Sequence, residues 1–225
     1  MTNKSKVAIV LPAFNEEKNI GKVLEEAKNL ADWLIVVDDG SRDKTGEICR
    51  AFAGNVICLR HPVNLGKGAA LKTGCETAKK LGADIIVTID SDGQHPPYLA
   101  PLLVEYLQDN NLDFVFTIRQ GGDKMPLIRW IGNKTLNLAA RYLFNLKVGD
   151  IWCGFRAFRA ECLEKISWEK CDYSGEIQMA LRVGLSGLRY GEYPIPTIYH
   201  DNSKGVNIFH GLKVLGQMII WRVKL

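Results

Sequence analysis

The sequence predicts an α/β fold with a doubly wound, mostly parallel sheet and a helical C-terminal part. Two observations predict it. Short apolar, β-branched runs alternate with helix-period segments from residue 7 to residue 118. Three of those runs end in polar or acidic residues, Asn15/Glu16, Asp38/Asp39 and Asp90/Asp92, as expected where parallel strands line a ligand crevice with their carboxyl ends.

The first strand is Val7–Leu11, ended by Pro12. A helix follows with Ile20, Val23, Leu24, Ala27 and Leu30 on its apolar side. Trp33–Val37 is the second strand, residues 43–53 the second helix, and Val56–Leu59 the third strand. Asn64-Leu65-Gly66-Lys67-Gly68 opens a helix to about Leu81. Ile85–Ile89 reads as a strand buried on both faces, since it is a β-branched run that is apolar but for Thr88. Helix 97–109 and strand Phe114–Ile118 complete the alternation. Beyond Gly121 the pattern lapses into a helix over 127–145, an irregular stretch, a helix near 175–186 and a short strand Tyr190–Ile195.

A chain of 225 residues fits one large domain with a sizeable core. Its net charge of +4 is too weak to argue for nucleic acid. Residues 1–100 carry equal numbers of acids and bases, so the whole excess lies in the second half. The six cysteines include no Cys-x-x-Cys pair, and no signal peptide precedes them, so they read as reduced thiols in a cytoplasmic protein. No apolar run approaches the roughly 18 residues of a membrane span.

The most informative stretch is Asp90-Ser91-Asp92-Gly93-Gln94-His95-Pro96-Pro97. Residues i and i+2 of an extended segment point to the same side, so Asp90 and Asp92 can converge on one cation. Hard oxygen donors favour Mg²⁺ or Mn²⁺. The same residues also suit a capped turn, and His95 suits a turn, or a place behind the ligands, better than a metal ligand. Asp39 could bind a base or ribose, while one of Asp38 and Asp39 could cap the helix after them. Gly66-x-Gly68 lacks the third glycine of a dinucleotide fingerprint, where Leu71 stands, and reads as a tight turn and helix start.

Leu11-Pro12-Ala13-Phe14-Asn15-Glu16-Glu17, Val36-Val37-Asp38-Asp39-Gly40-Ser41, Asn64-x-Gly66-Lys67-Gly68 and the 90–97 stretch follow one another as family signatures. Arg119, Pro126-x-x-Arg129, Gly154-Phe155-Arg156, Glu192-x-Pro194 and Ser203-Lys204 continue the series. In this order they resemble the family 2 glycosyltransferases, above all the dolichyl-phosphate mannose and glucose synthases.

The resemblance implies a GT-A fold over residues 1–205. It also implies inverting transfer of a hexose from a nucleotide-diphosphate sugar, of GDP-mannose or UDP-glucose type, to dolichyl or polyprenyl phosphate. By motif position Pro12, Phe14, Glu16, Val37 and Asp39 hold the nucleoside. Asp90, Ser91, Asp92 and Gln94 hold the diphosphate, with Asp90, Asp92 and Gln94 on a Mg²⁺ or Mn²⁺ ion. Arg119 and Arg129 meet phosphate oxygens, and Lys204 reaches in from the C-terminal loop. Asp92, Arg119, Arg129 and Asp150 form the expected catalytic set. Asp150 could orient the acceptor, act as a base, or pair structurally with Arg156. Glu176 could join the site or merely favour a helix start. Phe14 stands where the family more often has Tyr, and the loop Tyr199-His200-Asp201-Asn202 lacks arginines that some relatives carry.

Residues 202–225 contain Lys204, Lys213, Arg222 and Lys224 and no acid, interleaved with aliphatics and Trp221. A helix over 206–225 with that pattern suits a headgroup layer, and equally suits docking on the core. The expected setting is the cytoplasmic face of a membrane, with peripheral attachment. Transfer to a polysaccharide or glycolipid hydroxyl is a rival reaction, and a non-catalytic membrane-docking protein a rival of another class.

Overall fold

The computed structural model describes residues 4–52, 54–120, 127–196 and 208–224, with the side chains of 127–131, 208–213 and 224 outside the description. Seven strands form one sheet: β1 (Val7–Ala13), β2 (Trp33–Asp38), β3 (Val56–Arg60), β4 (Ile85–Thr88), β5 (Phe114–Gln120), β6 (Arg156–Arg159) and β7 (Tyr190–Pro196). Their order is β3-β2-β1-β4-β6-β5-β7. The helices are α1 (Ile20–Ala27), α2 (Thr45–Ala51), α3 (Lys67–Lys80), α4 (Ala100–Asp109), α5 (Leu127–Phe144), α6 (Ser174–Leu185) and α7 (Ile208–Lys224).

β3, β2, β1 and β4 are mutually parallel, so the carboxyl ends of β1, β2 and β4 share one edge. The strand order reverses between β1 and β4, which is where open α/β sheets place their ligands. Side chains alternate across the sheet. Ala8 and Val10 enter the layer beneath α3, α5, α6 and α7, whereas Ile9, Leu11 and Ala13 enter the layer with α1 and α4.

Three local departures from the sequence expectation have physical reasons. β1 continues through Pro12 and Ala13, which stay in register with Val37 and Asp38. Pro12 sits beyond the last β1–β4 pair, Val10 with Thr88, so its missing N–H costs no ladder bond there. β6 was not expected at all: Arg-Ala-Phe-Arg has charged ends, yet it lies antiparallel between β4 and β5. Its Arg156 is fully buried because the guanidinium donates to the carbonyls of Ile151, Cys153 and Glu176, at 2.9, 2.9 and 2.7 Å. The third concerns the start of α2, where neither Asp38 nor Asp39 caps. Asp43 does that work, accepting from the Thr45 N–H at 3.0 Å.

α7 packs along α5 and buries Val214, Met218 and Trp221, while Ile219, Ile220 and Val223 stay exposed. Among the described residues no helix is long and apolar enough to cross a membrane. All six cysteines are free thiols.

Candidate active site

The crevice begins at the end of β1. Asn15 takes a positive φ of 54°, and the turn is stitched to the segment after β2. The Asn15 N–H donates to Ser41 Oγ at 2.9 Å and the Glu16 N–H to Thr45 Oγ1 at 2.8 Å. The Glu16 carboxylate is half-buried and accepts from Asn19 at 2.8 Å. Phe14 is 42% exposed, so its ring presents a face to solvent. Pro12 and Val37 are buried partners in the β1–β2 ladder and contribute backbone and shape.

The Asp39 carboxylate is held by His61 and by the loop that precedes α3. Its Oδ1 accepts from the Leu65 N–H at 2.9 Å and lies 2.7 Å from His61 Nδ1, while Oδ2 accepts from the Gly66 N–H at 2.7 Å. The carboxylate thus shapes the 64–68 loop beneath that end of the crevice. Asp38 is fully buried against the Ser41 N–H at 2.9 Å and the Arg60 guanidinium at 3.3 Å. Ser91 is likewise engaged in structure: its hydroxyl donates to the Pro12 carbonyl at 2.8 Å and ties the end of β4 to β1.

Asp90 and Asp92 stand at the centre. Asp90 Oδ1 lies 2.6 Å from Lys67 Nζ, and that ammonium also meets Glu176 Oε2 at 2.8 Å. Burial pushes the Asp90 carboxyl up, but Lys67, then His95 and Arg119, outweigh it and hold the group at about 2. Asp92 moves the other way: burial first, and then the Asp90 charge, raise it above the ordinary value, although the Gln94 N–H donates to its Oδ1 at 2.9 Å. A carboxylate in that position is stabilised by a cation. Among the described residues no three His, Cys, Asp or Glu side chains gather to hold a metal alone. One or two carboxylates completed by diphosphate and water oxygens is nevertheless the donor set Mg²⁺ ordinarily takes, so Asp90 and Asp92 fit such an ion. Gln94 is adjacent through its backbone.

Arg119, from β5, meets Asp150 in a two-point pair, Nε to Oδ2 at 2.6 Å and Nη2 to Oδ1 at 3.0 Å. The alternative that Asp150 pairs with Arg156 is corrected: Asp150 meets Arg119, and Arg156 donates to three backbone carbonyls. Arg129 lies on α5 with its side chain outside the described residues, and Lys204 and the 199–202 loop lie outside them altogether.

Sequence reasoning gave Lys67 and Cys153 no role in this site and placed His95 only at its turn or behind its ligands. Lys67 opens α3, where a cation opposes the helix dipole, so its placement there was the signal that it has acidic partners. His95 Nε2 sits 3.4 Å from the Cys153 sulfur. Burial alone lowers the imidazole, but Cys153, Asp90 and Asp92 outweigh that and raise it to about 9. Close backbone approach holds the set together. A Cβ on Gly154 would come within 2.7 Å of Glu176 Oε1 and 3.0 Å of Asp90 Oδ1.

The arrangement therefore brings Asp90, Asp92, Lys67, Glu176, Arg119 and Asp150 to one edge. With more carboxylates than cations among these residues, it suits a divalent ion and a phosphorylated ligand together.

The family described as Glycosyl transferase family 2 matches residues 8–167. The chain is 36% identical over 230 residues to an uncharacterised protein of Methanocaldococcus jannaschii, covering 98% of this chain and 94% of that protein. It is 30% identical over 246 residues to the UDP-N-acetylglucosamine–dolichyl-phosphate N-acetylglucosaminyltransferase of Methanococcus voltae, covering 96% of each. In structure it resembles glucosyl-3-phosphoglycerate synthase from Mycobacterium tuberculosis in complex with Mn²⁺ and UDP-glucose. The TM-score is 0.74 at 26% identity, over 98% of this chain and 78% of that one.

Proposed function

This chain belongs to glycosyltransferase family 2 and has the GT-A fold, and from that premise we propose that it transfers a hexose from a nucleotide-diphosphate sugar to a polyprenyl phosphate at a membrane surface. The observation that carries the reading is the Asp90–Asp92 pair at the β1/β4 switch point, with Lys67 on one side and the Arg119–Asp150 pair on the other. The M. voltae relative, whose name gives a nucleotide-sugar donor and a dolichyl-phosphate acceptor, supports the substrate classes. The donor is of UDP-glucose or GDP-mannose type, and the complex of the M. tuberculosis enzyme with UDP-glucose favours the former.

In this proposal Phe14 stacks on the nucleoside, with Pro12, Val37 and Glu16 shaping its pocket and Asp39 fixing the loop below. Asp92, helped by Asp90 and Gln94, holds Mg²⁺ or Mn²⁺ on the diphosphate. When bound, that ion offsets the charge of the leaving diphosphate. Asp90 and Glu176, bridged by Lys67, face the sugar. A phosphate acceptor is already ionised at neutral pH, so a strong general base is not essential. It must instead be brought close to another anion, and a guanidinium suits that because it pairs bidentately with phosphate. Arg119 serves there, held at the required angle by Asp150, with Arg129 and Lys204 proposed as its companions. Residues 1–205 form the transferase domain. α7, within the segment 206–225, adds an apolar face that rests on the membrane, with Ile219, Ile220 and Val223 outward.

Product chemistry tests this against the rival transfer to a hydroxyl. A donor panel incubated with a short polyprenyl phosphate and Mn²⁺ is expected to give an acid-labile phosphodiester-linked sugar. An acid-stable glycoside formed only on a hydroxyl acceptor overturns the proposal.

A further inference from the structure

Outside the crevice, a cavity of about 320 Å³ opens between α5 and the 145–149 loop. Lys134, Arg141 and Lys147 line it, and Glu192 is the one acid among its lining residues. The Glu192 Oε1 accepts from the Gly149 N–H at 2.6 Å, so that carboxylate is partly engaged. The loop is also pinned by Asn137, whose Nδ2 donates to the Gly149 carbonyl at 2.5 Å and whose Oδ1 accepts from the Ile151 N–H at 3.3 Å. The Lys147 N–H donates to Tyr190 Oη at 2.9 Å. Three cations are thus gathered around a cavity whose wall is held in place.

We propose that this cavity binds the phosphate of an anionic phospholipid headgroup, so that Lys134, Arg141 and Lys147 dock the protein on a negatively charged bilayer. The proposal rests on the reading that the enzyme works at a membrane. Charge complementarity identifies a phosphate group as the ligand, since Lys and Arg are its ordinary partners. The surroundings identify a lipid as its source. Leu138, 52% exposed, lines the same cavity, and Tyr142, 77% exposed, follows it at i+4 on the same helix. α7, packed along α5, carries an exposed apolar set of its own, Ile219, Ile220 and Val223. Cations bordered by exposed apolar side chains are what an interfacial surface presents, whereas a site for a soluble phosphate needs no such border.

None of the catalytic groups lines the cavity, although Gly149 directly precedes Asp150. Arg141 and Lys147 are exposed and belong to neither the Lys67 nor the Arg119 cluster. The test is cosedimentation of the full chain with phosphatidylcholine vesicles, with and without phosphatidylglycerol, for the wild type and the Arg141→Gln/Lys147→Gln variant. At about fivefold per cation, the variant is expected to bind phosphatidylglycerol vesicles about 25-fold more weakly, with unchanged weak binding to phosphatidylcholine alone. Arg141→Gln alone, at about fivefold, serves if the double variant melts early. Equal binding by variant and wild type overturns the proposal. So does full displacement by inorganic phosphate at constant ionic strength, which would mark a soluble ligand. Transfer to a short polyprenyl phosphate without vesicles is read separately. Its absence alongside phosphatidylglycerol-dependent binding contradicts the proposed reaction and still supports the docking site.

Discussion

Lys67 Nζ lies 2.6 Å from Asp90 Oδ1, and both side chains are largely withdrawn from water. Removing the ammonium leaves Asp90 and Glu176 facing each other without a counter-charge. Lys67→Met is therefore expected to lose about 3 kcal/mol at neutral pH. The sign of its pH dependence follows from Asp90. In the wild type its folded pKa of about 2 lies below the ordinary 3.8, so the stabilisation is full above about pH 4 and is lost as pH falls through 2. In the variant the largest lowering influence on Asp90 is gone, so less of that stabilisation remains. The gap in melting temperature between the two proteins should then be widest near pH 7 and shrink as pH falls below about 4. A gap independent of pH contradicts this assignment.

The Arg119–Asp150 pair predicts that shape matters as well as charge. Arg119→Lys keeps the cation but loses the two-point contact, and turnover is expected to fall about 100-fold. Asp150→Asn should lower turnover through the same contact, so the double variant should be much less impaired than the two single losses combined. Strict additivity measured by steady-state kinetics would separate the two residues.

Much of this was legible in the sequence, for a reason that also marks the limit. The strands β1 to β5 announce themselves because each is a local apolar run. The acidic strand ends follow once the runs are taken as parallel. β6 carries no such signal, because a buried Arg156 is stable only through carbonyls supplied by distant backbone. Asp150 looked like the partner of Arg156, six residues on, and instead joins Arg119, which is 31 residues back. Lys67 looked like part of a glycine turn, and its acids come from just beyond β4 and from α6. Pairings made by the fold are invisible to spacing.

Gly66 has a φ of 99°, and a Cβ there would come within 2.5 Å of the Cys171 carbonyl oxygen. Gly66→Ala combines backbone strain with that clash, and should cost about 1–3 kcal/mol in thermal denaturation. Because the Gly66 N–H donates to Asp39, the Michaelis constant for the sugar nucleotide should rise as well. A variant with wild-type melting and kinetics would show that the 64–68 loop does not shape the site.

The two faces of α7 predict opposite outcomes. Trp221→Ala and Met218→Ala remove buried groups and should cost about 2–5 kcal/mol each. Ile219→Ser/Ile220→Ser alters exposed groups, so stability should stay within about 0.5 kcal/mol per site while vesicle binding weakens. Unchanged vesicle flotation would make α7 a purely structural helix.

The central claim is that Asp92 holds a divalent ion on the donor diphosphate while sugar passes to a polyprenyl phosphate. It is tested most directly by the rate of that transfer with and without Mn²⁺, for the wild type and for Asp92→Asn. The account predicts transfer that EDTA abolishes and excess Mn²⁺ restores, and a loss of at least about 100-fold in the variant. Full turnover by Asp92→Asn, or transfer indifferent to EDTA, would contradict it.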